Sequence, residues 1–186
     1  MIGTPNLRHI SSSVACSLAL EHWNATKILL SQGLFPSAVT VHRTQFEALV
    51  RSIWLLYAAS DTEVGKLISN LNTETEQSSK NVAGLQEMIS EIGKKGPAEA
   101  YKALVLFRDN GLKPINSYVH TGIHSIYRHA NGYPVKLMGD VLRNSNGIAL
   151  MTWMQASILV GQPEIQLKIL KVAARYPTCM PDALET

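Results

Sequence analysis

The order of prolines and glycines along this chain most strongly limits its fold, because it predicts helices from one end to the other. Proline suits the first turn of a helix, where its missing N–H is not needed, and glycine suits the residue just past a helix end. Prolines stand just before apolar, helix-like segments at Pro5, Pro36, Pro97, Pro114, Pro134 and Pro163. Glycines fall between such segments at Gly33, Gly96, Gly111, Gly132 and Gly161.

This order of prolines and glycines predicts an all-α, single-domain bundle of about seven helices. Two S/T-x-x-E capping boxes, Ser60 with Glu63 and Thr73 with Glu76, mark further helix starts. No segment alternates apolar and polar side chains as a half-buried strand does. We expect residues 1–176 to form the bundle and 177–186 a loosely ordered tail, with a candidate break around 144–147. The helical segments are 5–32, 36–59, 61–71, 74–94, 97–110, 115–129, 134–160 and 163–175.

Composition narrows the class of protein. Hydrophobic residues make up 46% of the 186 residues, enough to bury one core. The net charge is +3 and the basic residues are scattered, which gives little support for nucleic-acid binding. The most apolar stretch, 147–160, is shorter than the roughly 20 residues of a membrane span. Cys16 and Cys179 give no disulfide framework, so we expect a cytoplasmic protein with reduced thiols. We also expect no cofactor.

The second predicted helix carries a polar stripe, Arg43, Glu47 and Arg51, at i, i+4 and i+8. The stripe is either a solvent-facing ion-pair ladder or a partly buried network that lines a cleft and offers arginine to phosphate or carboxylate. The helix is apolar over most of its circumference, which predicts a central position in the bundle. His42 lies on the apolar side and is interpreted as a core residue with one satisfied nitrogen.

A second polar constellation follows Pro114. His120, His124 and Arg128 are spaced four apart and would share one helix face, whereas Val119, Ile123, Ile126 and Tyr127 would face the core. Three interpretations remain open. The two histidines could bind a metal, although no neighbouring Cys, Asp or Glu completes the ligand set and no metal is expected. The histidines and Arg128 could perform acid–base chemistry on a phosphate. The third interpretation is structural hydrogen bonding between helices.

The stretch from Leu34 to Tyr57 resembles the second helix of a group of uncharacterised bacterial all-helical proteins. The residues that carry the resemblance are Ala38, Arg43, Phe46, Glu47, Arg51 and Trp54, followed downstream by Tyr118-Val119-His120. That group is distantly similar to the HEPN domains of abortive-infection and toxin–antitoxin systems, whose active members cleave RNA with an Arg followed four to six residues later by His. No Arg here has a His at that spacing, so the resemblance implies the fold more than a nuclease.

Two functions follow as hypotheses. The first is a non-catalytic interaction or ligand-binding module, expected to be a homodimer that contacts a further protein or a small ligand. Its binding residues would be Arg43, Glu47, Arg51 and Tyr118. The alternative is a HEPN-like, RNA-cleaving component of a bacterial defence system, with His120, His124 and Arg128 as candidate catalytic residues. The alternative requires the arginine stripe and the histidine segment to meet in one cleft.

Overall fold

The computed structural model describes residues 6–69 and 82–181, together with Thr73 and Gln77. The described residues are helical with no strand, so the predicted all-α class is confirmed. Nine helical elements have defined bounds, more than the seven or so predicted. They are α1 (Leu7–Ser31), α2 (Phe35–Tyr57), α3 (Asp61–Ile68), α4 (Leu85–Lys95), α5 (Ala98–Val119), α6 (Ile123–Asn131), α7 (Val135–Leu159), α8 (Ile165–Ala173) and a 3-10 turn at Pro177–Cys179.

Helix α2 lies at the centre of the bundle, as its apolar circumference predicts. It packs against α1, α4, α5 and α7. Its buried side chains form the middle of the main core together with Met88, Ile89 and Ile92 of α4. The α2 residues of this core are Phe46, Ala48, Leu49, Val50, Ile53, Trp54 and Leu55.

Polar contacts at the end of α2 hold the neighbouring helices in place. Arg8 Nη1 of α1 donates to the carbonyl oxygens of Leu55 and Ala59, at 2.8 Å each. Lys95 Nζ of α4 donates to the carbonyl of Ala58 at 2.9 Å. These cations satisfy carbonyls that the last helical turn leaves without intrahelical partners, and they complement the negative end of the helix dipole.

The two predicted capping boxes have different outcomes. The Ser60–Glu63 capping box is confirmed, since the side chain of each residue bonds the backbone N–H of the other. In the proposed box of Thr73 with Glu76, Glu76 lies outside the described residues, and so does the predicted start of the fourth helix at 74. Within the described residues Thr73 and Gln77 are helical, residues 82–84 are not, and a helix then runs from Leu85 to Lys95.

The prediction that a helix ends at Gly111 and another begins after Pro114 is wrong. Helix α5 runs unbroken from Ala98 to Val119 with Pro114 inside it. An internal proline costs roughly 3 kcal/mol because it removes one backbone hydrogen bond. Leu112 and Ile115 are both buried on either side of it, and their burial offsets that cost. The chain turns instead at Thr121 and Gly122.

The second half of the chain departs from two further expectations. Helix α7 continues through Asn144–Gly147, so the candidate break there is absent. Part of the predicted loose tail is ordered: Asn146 Nδ2 donates to the carbonyl of Cys179 at 2.9 Å, and Pro181 packs against Gly147. Both cysteines are free. Among the helices of the described ranges, none combines the length and apolarity that crossing a membrane requires.

Candidate functional site

The arginine stripe of α2 splits into two parts with different environments. Arg43 is largely buried, with 15% of its side chain exposed, and pairs with Glu47 at 2.8 Å. Its Nε donates to Asn116 Oδ1 of α5, also at 2.8 Å. Arg51 has no ion pair or hydrogen bond with the described residues. Arg43 therefore links α2 to α5, and the three residues do not form one continuous ladder.

Arg43 also borders an open polar groove, beside Arg108 and the first turn of α4. Each of these two guanidinium groups already has a carboxylate partner, Glu47 for Arg43 and Asp109 for Arg108. One nitrogen of Arg43, Nη1, is buried without a hydrogen-bond partner. Because the two cations are neutralised locally, this groove offers little net attraction for an anion.

The predicted single face of His120, His124 and Arg128 does not exist. His120 is the C-cap of α5, and Thr121 then takes a left-handed backbone conformation with a φ of 51°. His124 lies in the first turn of the separate helix α6, where its backbone N–H donates to Ser117 Oγ at 3.0 Å. The Thr-Gly pair at 121–122 ends α5, so the four-residue spacing no longer brings these side chains onto one face.

The residues expected to face the core in this segment face outward instead. Val119, Ile123, Ile126 and Tyr127 are 39%, 78%, 61% and 58% exposed. The buried residue of α6 is Ser125, whose hydroxyl donates to the carbonyl of Gly122. The prediction for this face is therefore wrong.

The two predicted constellations do not converge in the described part of the chain. No hydrogen bond or ion pair there joins Arg43 or Arg51 to His120, and the residue of α5 that bonds Arg43 is Asn116. Tyr118 packs against the small cluster around Val39 and Ile115, and this burial raises its pKa. Within the same ranges, no group of three or more His, Cys, Asp or Glu side chains could hold a metal ion.

A cavity of about 540 Å³ lies between α2, α5 and α7, and the sequence did not single it out. Its walls are mostly apolar, with the Phe46 and Phe107 rings 4.4 Å apart between centroids. His42 of α2 lines it and is fully buried, with its ring edge-on to Phe107 at 5.5 Å. Further apolar residues of the wall are Ile115, Leu137, Ile148 and Met151, and Pro181 of the C-terminal segment also contributes.

The hydrogen bonds behind His42 fix which ring nitrogen carries the proton. Gln45 Nε2 donates to the backbone carbonyl of Ser145 at 2.9 Å, and this bond identifies which atom of the Gln45 amide is the nitrogen and which is the oxygen. That oxygen accepts the Ser145 hydroxyl at 2.6 Å and lies 3.4 Å from His42 Nδ1. An amide oxygen only accepts, so Nδ1 holds the proton and Nε2 is the acceptor. His42 Nε2 is buried with no partner among the described residues.

Burial keeps the His42 ring neutral. Removing the imidazolium from water lowers the pKa of His42 to about 4, and the Gln45 contact offsets only part of that effect. The ring is therefore neutral at physiological pH, and its Nε2 is a buried acceptor in the wall of the cavity. The interpretation of His42 as a core residue with one satisfied nitrogen is confirmed for Nδ1, and the unsatisfied Nε2 makes this residue a functional candidate.

A family model matches residues 16–182, and its description is Family of unknown function (DUF6988). The chain belongs to this family. No curated protein and no solved structure matches it. The DUF6988 range contains His42, Gln45, Ser145 and Pro181, so the whole cavity lies within the family domain. The HEPN resemblance stays a prediction, since the DUF6988 description carries no link to that superfamily.

Sequence reasoning missed the cavity of this DUF6988 protein because its polar residues come from distant parts of the chain. His42 and Gln45 lie three apart on the buried side of α2, whereas Ser145 lies 100 residues after Gln45. One signal was present: Asn144-Ser145-Asn146 interrupts an otherwise apolar helix. The sequence predicts a candidate break there, but the interruption instead supplies polar contacts to α1, α2 and the C-terminal segment.

Proposed function

We propose that this protein binds a small, largely apolar molecule in the cavity lined by His42. The main observation is that His42 Nε2 has no hydrogen-bond partner among the described residues, although its ring lines an apolar space of about 540 Å³. Ligand pockets are commonly apolar spaces of roughly 300–1,000 Å³ with a few polar groups that fix orientation. A buried acceptor without a partner costs about 1–3 kcal/mol, and a ligand that donates to it would recover that energy.

The same observation favours binding over catalysis. A general acid or base works best when its pKa is near the operating pH. His42, with a pKa of about 4, is a weak base near pH 7 and has no proton on Nε2 to give. The side chain is therefore suited to receive a hydrogen bond and to orient a ligand.

Filling the cavity tests this function. N-phenyl-1-naphthylamine, a neutral probe that fluoresces in apolar sites and carries one N–H donor, should bind the wild-type protein. Ala103 of α5 lines the cavity, and Ala103→Trp should weaken probe binding at least about tenfold because the indole would occupy the same space. Lys102→Trp is the matched control, since Lys102 is exposed on the same helix and does not line the cavity. Equal probe affinity in both variants would contradict the proposal.

We also propose that the protein forms a homodimer through α1. Leu7, Ile10, Val14 and Leu18 are spaced three, four and four residues apart along α1 and are 54%, 40%, 64% and 44% exposed. This spacing is that of a helix–helix seam, and a second copy of the same stripe would cover it.

Light scattering coupled to gel filtration tests the dimer. At micromolar concentration the wild-type mass should be twice the 20.4 kDa of one chain. Val14→Glu should return it to 20.4 kDa, because the charge would be buried at the seam. Ser13→Glu adds the same charge at a neighbouring exposed position outside the stripe. A monomeric wild-type protein would overturn this proposal.

The HEPN-like alternative, cleavage of RNA by His120, His124 and Arg128, is not advanced further. It needs an arginine and a histidine facing one cleft. Among the described residues, none of these three forms a hydrogen bond or ion pair with another of them, and no specific observation favours the reaction.

A further inference from the structure

The mouth of the His42 cavity is positively charged. The charged residues that line the cavity there belong to α7 and are Lys136, Asp140 and Arg143. Asp140 is the one acidic residue among the described residues of the lining. Lys136 Nζ lies 3.0 Å from Asp140 Oδ2, and Arg143 Nη2 bonds the other carboxylate oxygen. Two cations thus share one anion, which leaves a surplus of one positive charge among the described residues of the lining. These bonds favour the ionised carboxylate and hold the pKa of Asp140 below its ordinary value although partial burial opposes them.

Arg143 keeps hydrogen-bonding capacity for a ligand. Its side chain is only 27% exposed, so the guanidinium is held against the protein. Nη2 bonds Asp140, while Nε and Nη1 make no hydrogen bond with the described residues. A partly buried guanidinium whose Nε and Nη1 have no partner among the described residues matches the planar geometry of a carboxylate, phosphate or sulfonate group.

We propose that the ligand is an amphipathic organic anion, with its apolar body between α2, α5 and α7 and its acidic group at Arg143 and Lys136. A hydrogen-bond donor on the body would satisfy His42 Nε2. This inference rests on the proposed function, because it specifies the chemical class of the molecule that the same cavity takes. It adds a requirement that ligand binding alone does not impose, namely selectivity for a negative charge.

Two probes that differ by one acidic group test the charge requirement. 1-Anilinonaphthalene-8-sulfonate carries the same rings and N–H donor as N-phenyl-1-naphthylamine, with a sulfonate added. Fluorescence titration gives a Kd for each probe. Arg143→Gln should weaken sulfonate-probe binding about tenfold, since a hydrogen bond to a charged group is lost, and should change the neutral probe's Kd by less than about twofold. Lys102→Gln removes an exposed positive charge outside the cavity and should change neither.

Salt provides a second comparison between the probes. Raising KCl from 20 to 500 mM should weaken binding of the sulfonate probe to the wild-type protein, because ions screen a charge at a solvent-accessible mouth. The neutral probe should keep its affinity.

The outcomes separate the two proposals. If Arg143→Gln alters the two probes equally, or alters neither, the anion requirement is wrong while cavity binding stands. If neither probe binds, or if Ala103→Trp retains full binding of both probes, the cavity is not the site and both proposals fail.

Discussion

Acidification from pH 7 to pH 4 is expected to remove about 3 kcal/mol of stability through His42 alone. In the unfolded chain this imidazole takes a proton near pH 6.5, whereas burial in the native protein lowers its pKa to about 4. Below pH 6.5 the unfolded state therefore binds more protons than the native state, and the free energy of unfolding falls with pH. The contribution is complete above pH 6.5 and is lost progressively down to about pH 4.

His42→Phe isolates this effect from the carboxylates that titrate in the same range. Urea unfolding followed by far-ultraviolet circular dichroism at pH 7, 6, 5 and 4 gives the free energy of unfolding of each protein. The stability of the wild type relative to His42→Phe should fall by about 3 kcal/mol across this range. The exposed His129, replaced by Phe in the same way, tests whether the effect belongs to His42. Parallel curves for the wild type and His42→Phe would show that the buried ring titrates normally.

Trp54→Ala should give the largest loss of stability from a single core substitution. Trp54 is 0% exposed at the centre of the bundle, and its indole Nε1 donates to Glu91 Oε2 of α4 at 2.5 Å. Deleting a buried tryptophan costs about 3–5 kcal/mol, through lost apolar transfer energy and the cavity left behind. The variant also deprives Glu91 of its hydrogen-bond donor.

Trp153→Ala is the matched control for this substitution. Trp153 of α7 is 46% exposed, so its removal should cost about 1 kcal/mol or less. The difference in the free energy of unfolding between the two variants, measured by urea titration at pH 7, checks the central position of α2. Equal losses would mean that Trp54 does not sit at the middle of the core.

Local sequence patterns predicted the helices well where tertiary packing does not oppose them. The capping box at Ser60 and Glu63 and the apolar circumference of α2 specify structure within a few residues. Pro114 misled the prediction because a local signal competed with tertiary packing. The burial of Leu112 and Ile115 keeps α5 helical through a residue that usually ends a helix. The misplaced end then put His120 and His124 on a helix face that they do not share.

The candidate site was less predictable, because its geometry arises from packing between helices. Whether Arg43 faces water or the interior depends on Asn116, which lies 73 residues away. The protonated nitrogen of His42 depends on the orientation of Gln45, which Ser145 sets from a third helix. Helical periodicity reports the face on which a residue lies, but it does not report which residue of another helix meets it.

The most direct test of the His42 cavity is a long-range ¹H–¹⁵N NMR spectrum of the histidine rings, with His42→Phe used to assign the His42 signals. At pH 5.5 the structure predicts a neutral ring with its proton on Nδ1 and an Nε2 signal typical of an unprotonated nitrogen. Adding N-phenyl-1-naphthylamine should shift that Nε2 signal upfield as it accepts a hydrogen bond, and should leave the His129 signals in place. A His42 ring that is already charged at pH 5.5, or an Nε2 signal that does not respond to saturating probe, would contradict a ligand site at His42.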